Sequence, residues 1–236
     1  MKYSKPLQRV KLIRRYKRFL ADVECVDGSQ LTVHTPNTGS MLGCSTPGHN
    51  IWIRDSENNK RKYRFSWEIS EGDSDSLIGV NTVLANKLVV EGIEKKVIQE
   101  LAHYGMIRTE VAYGEGSRID ILLQDTLDSR PDCYVEVKNV TAREGDYAIF
   151  PDAVTARGTK HLLELVNMAS AGYRAVIFFC IQRDDVREFR PANEIDPEYA
   201  RTLAHAVKHG VEALAYAVSI SPEEIILTDK IAVKID

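Results

Sequence analysis

The chain has 236 residues, 44% of them hydrophobic and 28% charged, with 14 Gly, 8 Pro and 4 Cys. Those proportions exclude collagen-like, low-complexity and disordered chains, and leave a globular protein long enough for one large domain or two small ones. The net charge of −3 conceals a division: residues 1–66 carry 13 Lys/Arg against 5 Asp/Glu, whereas 67–236 carry 18 against 29.

Short β-type runs come first, at 10–13, 18–26, 31–35, 50–54 and 61–69. Turn chemistry separates them: Asp27-Gly28, Pro36-Asn37-Thr38-Gly39 and Pro47-Gly48. About five short strands with a turn-rich middle suit a small closed barrel of the OB type. An exposed loop is expected over 71–76, so the barrel is assigned to 1–80 and a second domain to 81–236. From Leu84 the period becomes helical, through Leu88, Ile93, Val97, Ile98 and Leu101, with Gly105 as a stop. The spacing predicts a helix over 82–103, with Gly92 a candidate break. Strands follow at 107–113, 118–124 and 133–140, then a helix over 151–171 and a fully apolar strand over 174–182. A helix over 197–208 has Asp196 as N-cap, Pro197 at its first position and Gly210 beyond its end. Strands at 211–218 and 224–235 close the chain. The order αβββαβαβ after residue 81 describes an α/β domain with a largely buried sheet, α+β for the chain as a whole.

The basic side chains of the first part are clustered. Arg14, Arg15, Lys17 and Arg18 form one group, and Lys60, Arg61, Lys62 and Arg64 a second, interleaved with Tyr63 and Phe65 and followed by Trp67. Cations neutralise phosphates and release counterions while rings stack on unpaired bases, so this pattern fits a nucleic-acid backbone. A solvated lysine-rich face is the plain alternative. The longest apolar run, 175–181, is far short of the roughly 20 residues of a membrane helix, and the first residues show no secretory signal. Cys25, Cys44, Cys133 and Cys180 have no CxxC spacing. Reduced thiols and a cytoplasmic location are therefore expected, with no membrane partner.

Chemistry concentrates in Ser117-Arg-Ile-Asp-Ile-Leu-Leu-Gln124 and Cys133-Tyr-Val-Glu-Val-Lys138, joined by the spacer 125–132 with its Asp128-Ser-Arg-Pro131 turn. Period two puts Glu136 and Lys138 on one face. It puts Ile119, Ile121 and Leu123 on one face of the other strand, with Asp120 and Arg118 opposite. Pairing these strands as a wide hairpin brings Asp120 beside Glu136, with Lys138 a step beyond. Two carboxylates beside an ammonium make a hard-oxygen pocket for Mg²⁺ or Mn²⁺, to which Glu110 on the preceding strand adds a candidate ligand. A structural ion pair is the competing account. On the following helix, Arg157, Lys160, His161 and Glu164 form a polar stripe that either meets a phosphodiester at the metal site or is a solvated face with an internal salt bridge. Pro36 to Met41 could cradle a phosphate, and the same residue types favour a simple turn.

Asp120 with Glu136-Val137-Lys138, set in αβββαβ, resembles the PD-(D/E)xK nuclease superfamily. Pro36-Asn-Thr-Gly39, Asn81-Thr82, Ser117-Arg-Ile-Asp120, Tyr134-Val-Glu-Val-Lys138 and Phe150-Pro-Asp-Ala-Val-Thr-Ala-Arg-Gly-Thr-Lys-His161 together resemble the sugar fermentation stimulation protein (SfsA) family of bacteria and archaea. The resemblance spans essentially the whole chain. It implies an N-terminal OB-like domain and a C-terminal nuclease-like domain. It also implies non-specific DNA binding, with a regulatory link to sugar (maltose) metabolism. The superfamily's metal ligands fall on Asp120 and Glu136 and its catalytic lysine on Lys138. Three functions follow as alternatives: a DNA-binding regulator with an idle second domain, a metal-dependent nuclease acting on DNA or RNA, and an interaction protein whose carboxylates form a buried ion pair.

Overall fold

From Gln8 the chain alternates exposed cations with apolar side chains, Arg9 and Lys11 outward against Val10 and Leu12 inward, and this pattern is realised as strand. The structure, a computed structural model, describes residues 1–114, 116–127 and 129–235, so Asp128 of the expected turn lies outside the described residues. The strands β1 (Gln8–Tyr16), β2 (Leu20–Glu24), β3 (Gln30–His34), β4 (Asn50–Asp55), β5 (Phe65–Glu71) and β6 (Leu77–Gly79) lie in the order β3-β2-β1-β4-β5-β6. A parallel pairing of His34 with Ser66 closes the first five into the expected OB-like barrel. Val10, Leu12, Val23, Val33, Ile51, Ile53 and Trp67 fill it.

Three expectations change here. The strand expected over 18–26 starts at Leu20, because Lys17 and Arg18 take left-handed backbone angles (φ 49° and 64°) and make the hairpin turn. Trp67 is not available to stack on a base: it is fully buried and its indole N–H donates to the carbonyl of Ile69. The segment 71–76 is not an open loop, since a 3₁₀ turn over Asp73–Asp75 leads into β6 and Ser76 is buried.

Beyond the barrel come α1 (Val83–Glu94), β7 (Met106–Tyr113), β8 (Ser117–Gln124), β9 (Cys133–Val140), β10 (Ala142–Glu144), β11 (Tyr147–Phe150), α2 (Ala156–Ser170), β12 (Arg174–Ile181), β13 (Glu188–Pro191), α3 (Pro197–Lys208), β14 (Val211–Ile220), β15 (Ile225–Lys230) and β16 (Ala232–Val233). The main sheet runs β15-β14-β12-β9-β8-β7, and a smaller one, β10-β11-β13-β16, was not visible in the sequence. β12 shows why its sheet reads as continuously apolar. Val176, Phe178 and Cys180 pack on the α1 side, and Ala175, Ile177, Phe179 and Ile181 on the side of α2 and α3.

Helix α1 ends nine residues before the expected 103. Val97 and Ile98 donate back to the carbonyl of Gly92, with Lys96 in the left-handed region (φ 59°). Ile98 thereby packs against Gly92, where a Cβ would sit 3.0 Å from Leu227 and 3.2 Å from Ile98. Helix α2 starts at Ala156 rather than 151, because the Thr155 hydroxyl caps it by accepting from Gly158 N at 3.0 Å. Asp196 caps α3 by accepting from Tyr199 N and also accepts from Thr155 N, so one carboxylate orients both helix starts.

Several ties join barrel and sheet. The first residues run along the end of the second part, with Tyr3 N donating to the Glu223 carbonyl and Leu7 N to that of Pro222. Nearby, Gly79 N donates to the Gln182 carbonyl, and Ile78 pairs with Arg183.

Candidate active site

The β8–β9 ladder pairs Leu123 with Cys133, Leu122 with Tyr134 and Ile121 with Val135, and no further pair follows. Where the strands part, Asp120 fills the gap: one carboxylate oxygen accepts from Val137 N at 2.8 Å and the other from Asn86 of α1 at 2.8 Å. On the other flank Glu110 interrupts the β7–β8 pairing with a left-handed φ of 55°. This conformation is uncommon for a side chain of its kind and gathers at functional sites. The simple alternation expected in β8 therefore fails at Asp120. Ile121 and Leu123 pack on the α1 side, but Ile119 packs with α2 and α3. Asp120 does not share a partner surface with Glu136, because it bonds toward α1 and Glu136 toward α2.

Glu136 is 2% exposed and sits at the centre of a charged chain. Its Oε1 accepts from Lys138 Nζ at 2.6 Å and from His161 Nδ1. Arg157 Nε donates to His161 Nε2 at 3.3 Å, which leaves the imidazole proton on Nδ1, facing Glu136. Burial opposes the charge on Glu136, but the His161 and Lys138 hydrogen bonds prevail and hold its carboxyl below the usual range. Asp120 goes the other way: burial first, then the charge of Glu136, push its carboxyl up. Glu136 Oε2 is buried without a hydrogen-bond partner among the described residues. Such an oxygen costs about 1–3 kcal/mol unless something binds it.

Glu110, Asp120, Glu136, Arg157, Lys160 and His161 all line one hollow of about 430 Å³. Asp120 and Lys138 also line an adjoining groove of about 950 Å³ beneath α1. The α2 stripe is divided: His161 is buried against Glu136, while Lys160 and Glu164 make an internal salt bridge at 3.5 Å. Among the described residues no three His, Cys, Asp or Glu side chains gather closely enough to hold an ion alone, so Glu110 lines the site without closing a ligand set. The unpartnered Glu136 oxygen and the Asp120 carboxylate still suit a hard cation that keeps several waters.

The cationic residues of the barrel divide into two kinds. Half-buried Arg15 and exposed Arg18 are clamps, donating to the carbonyls of the 37–40 loop. Lys17, Lys60, Arg61 and Lys62 are exposed, whereas exposed Arg14 and Arg64 are paired with Asp22 and Asp55. Sequence reasoning missed Asn86, which carried no motif, and Phe19, an exposed ring at the β1–β2 turn beside Lys17 and Arg18.

Asp120→Asn removes a charge that burial and Glu136 disfavour, while its amide oxygen still accepts from Val137 N and its N–H₂ donates to Asn86 Oδ1 once the Asn86 amide turns over. The variant is expected to melt about 2–4 °C higher by calorimetry, the shift for roughly 1 kcal/mol in a chain of this size, and to lose any stabilisation by Mn²⁺. A lower melting temperature would contradict the assigned repulsion.

A family model described as the sugar fermentation stimulation protein RE domain matches residues 83–224, and one described as the SfsA N-terminal OB domain matches 13–80. The solved structure of Pyrococcus furiosus SfsA in complex with Ca²⁺ is 30% identical, with a TM-score of 0.89, and the match covers 100% of this chain and 98% of that one. No helix among the described residues is long and apolar enough to cross a membrane.

Proposed function

This chain belongs to the sugar fermentation stimulation protein family, and from that premise we propose that it binds DNA and hydrolyses phosphodiester bonds with a divalent metal. The observation that carries the reading is the buried, unpartnered Oε2 of Glu136 in a hollow shared with Asp120 and flanked by Arg157, Lys160 and His161. Asp120 and Glu136 would hold Mg²⁺ or Mn²⁺, and the Ca²⁺ carried by the Pyrococcus furiosus protein supports a hard-oxygen site here. When bound, such an ion polarises a phosphoryl oxygen and lowers the pKa of a water. The chain's own groups do the rest. Lys138 sets a cation against Glu136, where charge grows on the phosphodiester. His161, steadied by Arg157, orients the Glu136 carboxylate, and Arg157 and Lys160 meet the backbone beside it. The exposed cations of the barrel supply sequence-independent grip.

A second reading, DNA binding with an idle second domain and a regulatory role in sugar metabolism, is favoured by one observation: Glu136 already has two cationic or proton-donating partners. A cytoplasmic site of action fits either.

Both are tested on one preparation. Log affinity for DNA should fall linearly with log salt, and Lys17→Glu and Lys62→Glu should each reduce the slope by about one. Cleavage that requires Mg²⁺ or Mn²⁺ separates the first reading from the second, and salt-independent association would sink both.

A further inference from the structure

The loop from Pro36 to Ser40 is held from behind by side chains at every carbonyl. Thr82 donates to that of Pro36 at 2.8 Å and Arg15 Nη2 to those of Asn37 and Gly39 at 3.0 and 2.9 Å. Arg18 donates to Thr38 O at 2.8 and 3.0 Å, and Arg15 Nη1 to Ser40 O at 3.4 Å. From the front Asp152 accepts from Ser40 Oγ at 2.8 Å and Met41 N at 3.2 Å. The approach is so close that a Cβ on Gly39 would lie 2.8 Å from that carboxylate. A simple turn needs none of this. Two guanidinium groups spent on one loop fix the directions in which its side chains point.

Asn37 and Thr38 line a hollow of about 250 Å³ with Asn139, Thr141, Phe150 and Asp152. No lysine or arginine lines it, while the Asp152 carboxylate does, so its chemistry is acceptor-rich hydrogen bonding beside Phe150, unsuited to a phosphate and suited to a flat heterocycle that presents amino groups. Its volume lies below the roughly 300–1,000 Å³ of pockets for drug-sized ligands, which leaves room for one ring system. It shares Thr82 and Asn139 with the groove that Asp120 and Lys138 line, and Asn139 directly follows Lys138 on β9. The shared lining sets this opening beside the groove along which a strand held at the carboxylates would run.

We propose that this hollow receives one unpaired nucleobase of the bound DNA, so that the protein selects single-stranded over fully paired DNA. The inference rests on the DNA-binding reading above. A base held in a duplex cannot enter, since its hydrogen-bonding edge is occupied and its faces are stacked.

The test uses the full chain, Ca²⁺, a labelled single-stranded 12-mer, the same sequence as a blunt duplex, and a set of 12-mers each carrying one abasic position. The single strand is expected to bind about tenfold or more tighter than the duplex. One abasic position should cost about tenfold, the scale of one stacked base. That position-specific loss should vanish in Thr38→Tyr, which fills the hollow from an exposed position. Thr141→Val, of similar volume and lacking the hydroxyl, provides the same readout should Thr38→Tyr not fold. Equal affinity for duplex, a flat abasic scan, or a loss undiminished in both variants overturns the assignment while DNA binding stands. Absence of binding to every DNA overturns it together with the function it rests on.

Discussion

Glu136→Gln is expected to lose Mn²⁺ binding and DNA cleavage together, with single-turnover cleavage falling on the order of 10³-fold or more. The substitution keeps volume and shape but replaces an anionic ligand by an amide. It also places an N–H₂ group among donors: Lys138 Nζ and the His161 Nδ1 proton both point at this side chain. The amide can offer its single oxygen to those donors or to the metal, not to both. Lys138→Met separates the roles, because it leaves both carboxylates and removes only the cation. It is expected to keep Mn²⁺ binding by titration calorimetry and to lose turnover. Unchanged Mn²⁺ affinity in Glu136→Gln would remove the metal assignment, whatever happened to cleavage.

Arg183→Met is expected to destabilise the fold by about 3–5 kcal/mol, the cost of stripping one partner from a buried pair, with a fall in melting temperature of roughly 10 °C. Arg183 is 3% exposed; its Nε and Nη2 both donate to Asp185 at 2.8 Å and its Nη1 to the Thr141 carbonyl at 2.8 Å. Asp185 also meets Arg143 at 3.0 Å, and Arg143 reaches Asp73 in the turn leading out of the barrel at 3.1 Å. Burial opposes the charge on Asp185, but Arg183 prevails and holds its carboxyl below the usual range. A carboxyl lowered in the folded state contributes its full stability above its unfolded value of about 4, and loses it as pH falls through the lowered value. The gap between wild type and variant in urea should therefore be widest near neutral pH and narrow below about pH 4. A gap independent of pH would point to lost packing instead.

How far the sequence was legible follows from where the determining contacts lie. Helix α3 was readable to the residue because Asp196, Pro197 and Gly210 mark its ends locally. The end of α1 was not, because a long-range contact decides it: Leu227 stands against Gly92. The strands of the smaller sheet run from two to four residues, too few to show a period. At the site, spacing was enough to pair Glu136 with Lys138. The turning of Asp120 toward Asn86 depends on where a ladder stops, and no side-chain pattern records that. Charge counting found the barrel's cations but could not tell Lys17, which faces water, from Arg15, which faces carbonyls. His161, one histidine in a polar stripe, acquired its place only when α2 was laid over β9.

The barrel is fastened at more than one place, through Tyr3 and Leu7 and again through Ile78 and Gly79. A module hung on a single tether samples a range of reaches; one pinned twice has a fixed reach. On the proposed function, Lys17 and the Glu136 carboxylate are then two marks on a rigid gauge. Cuts made by a protein held at a DNA end should fall at one set number of nucleotides from it, not over a spread.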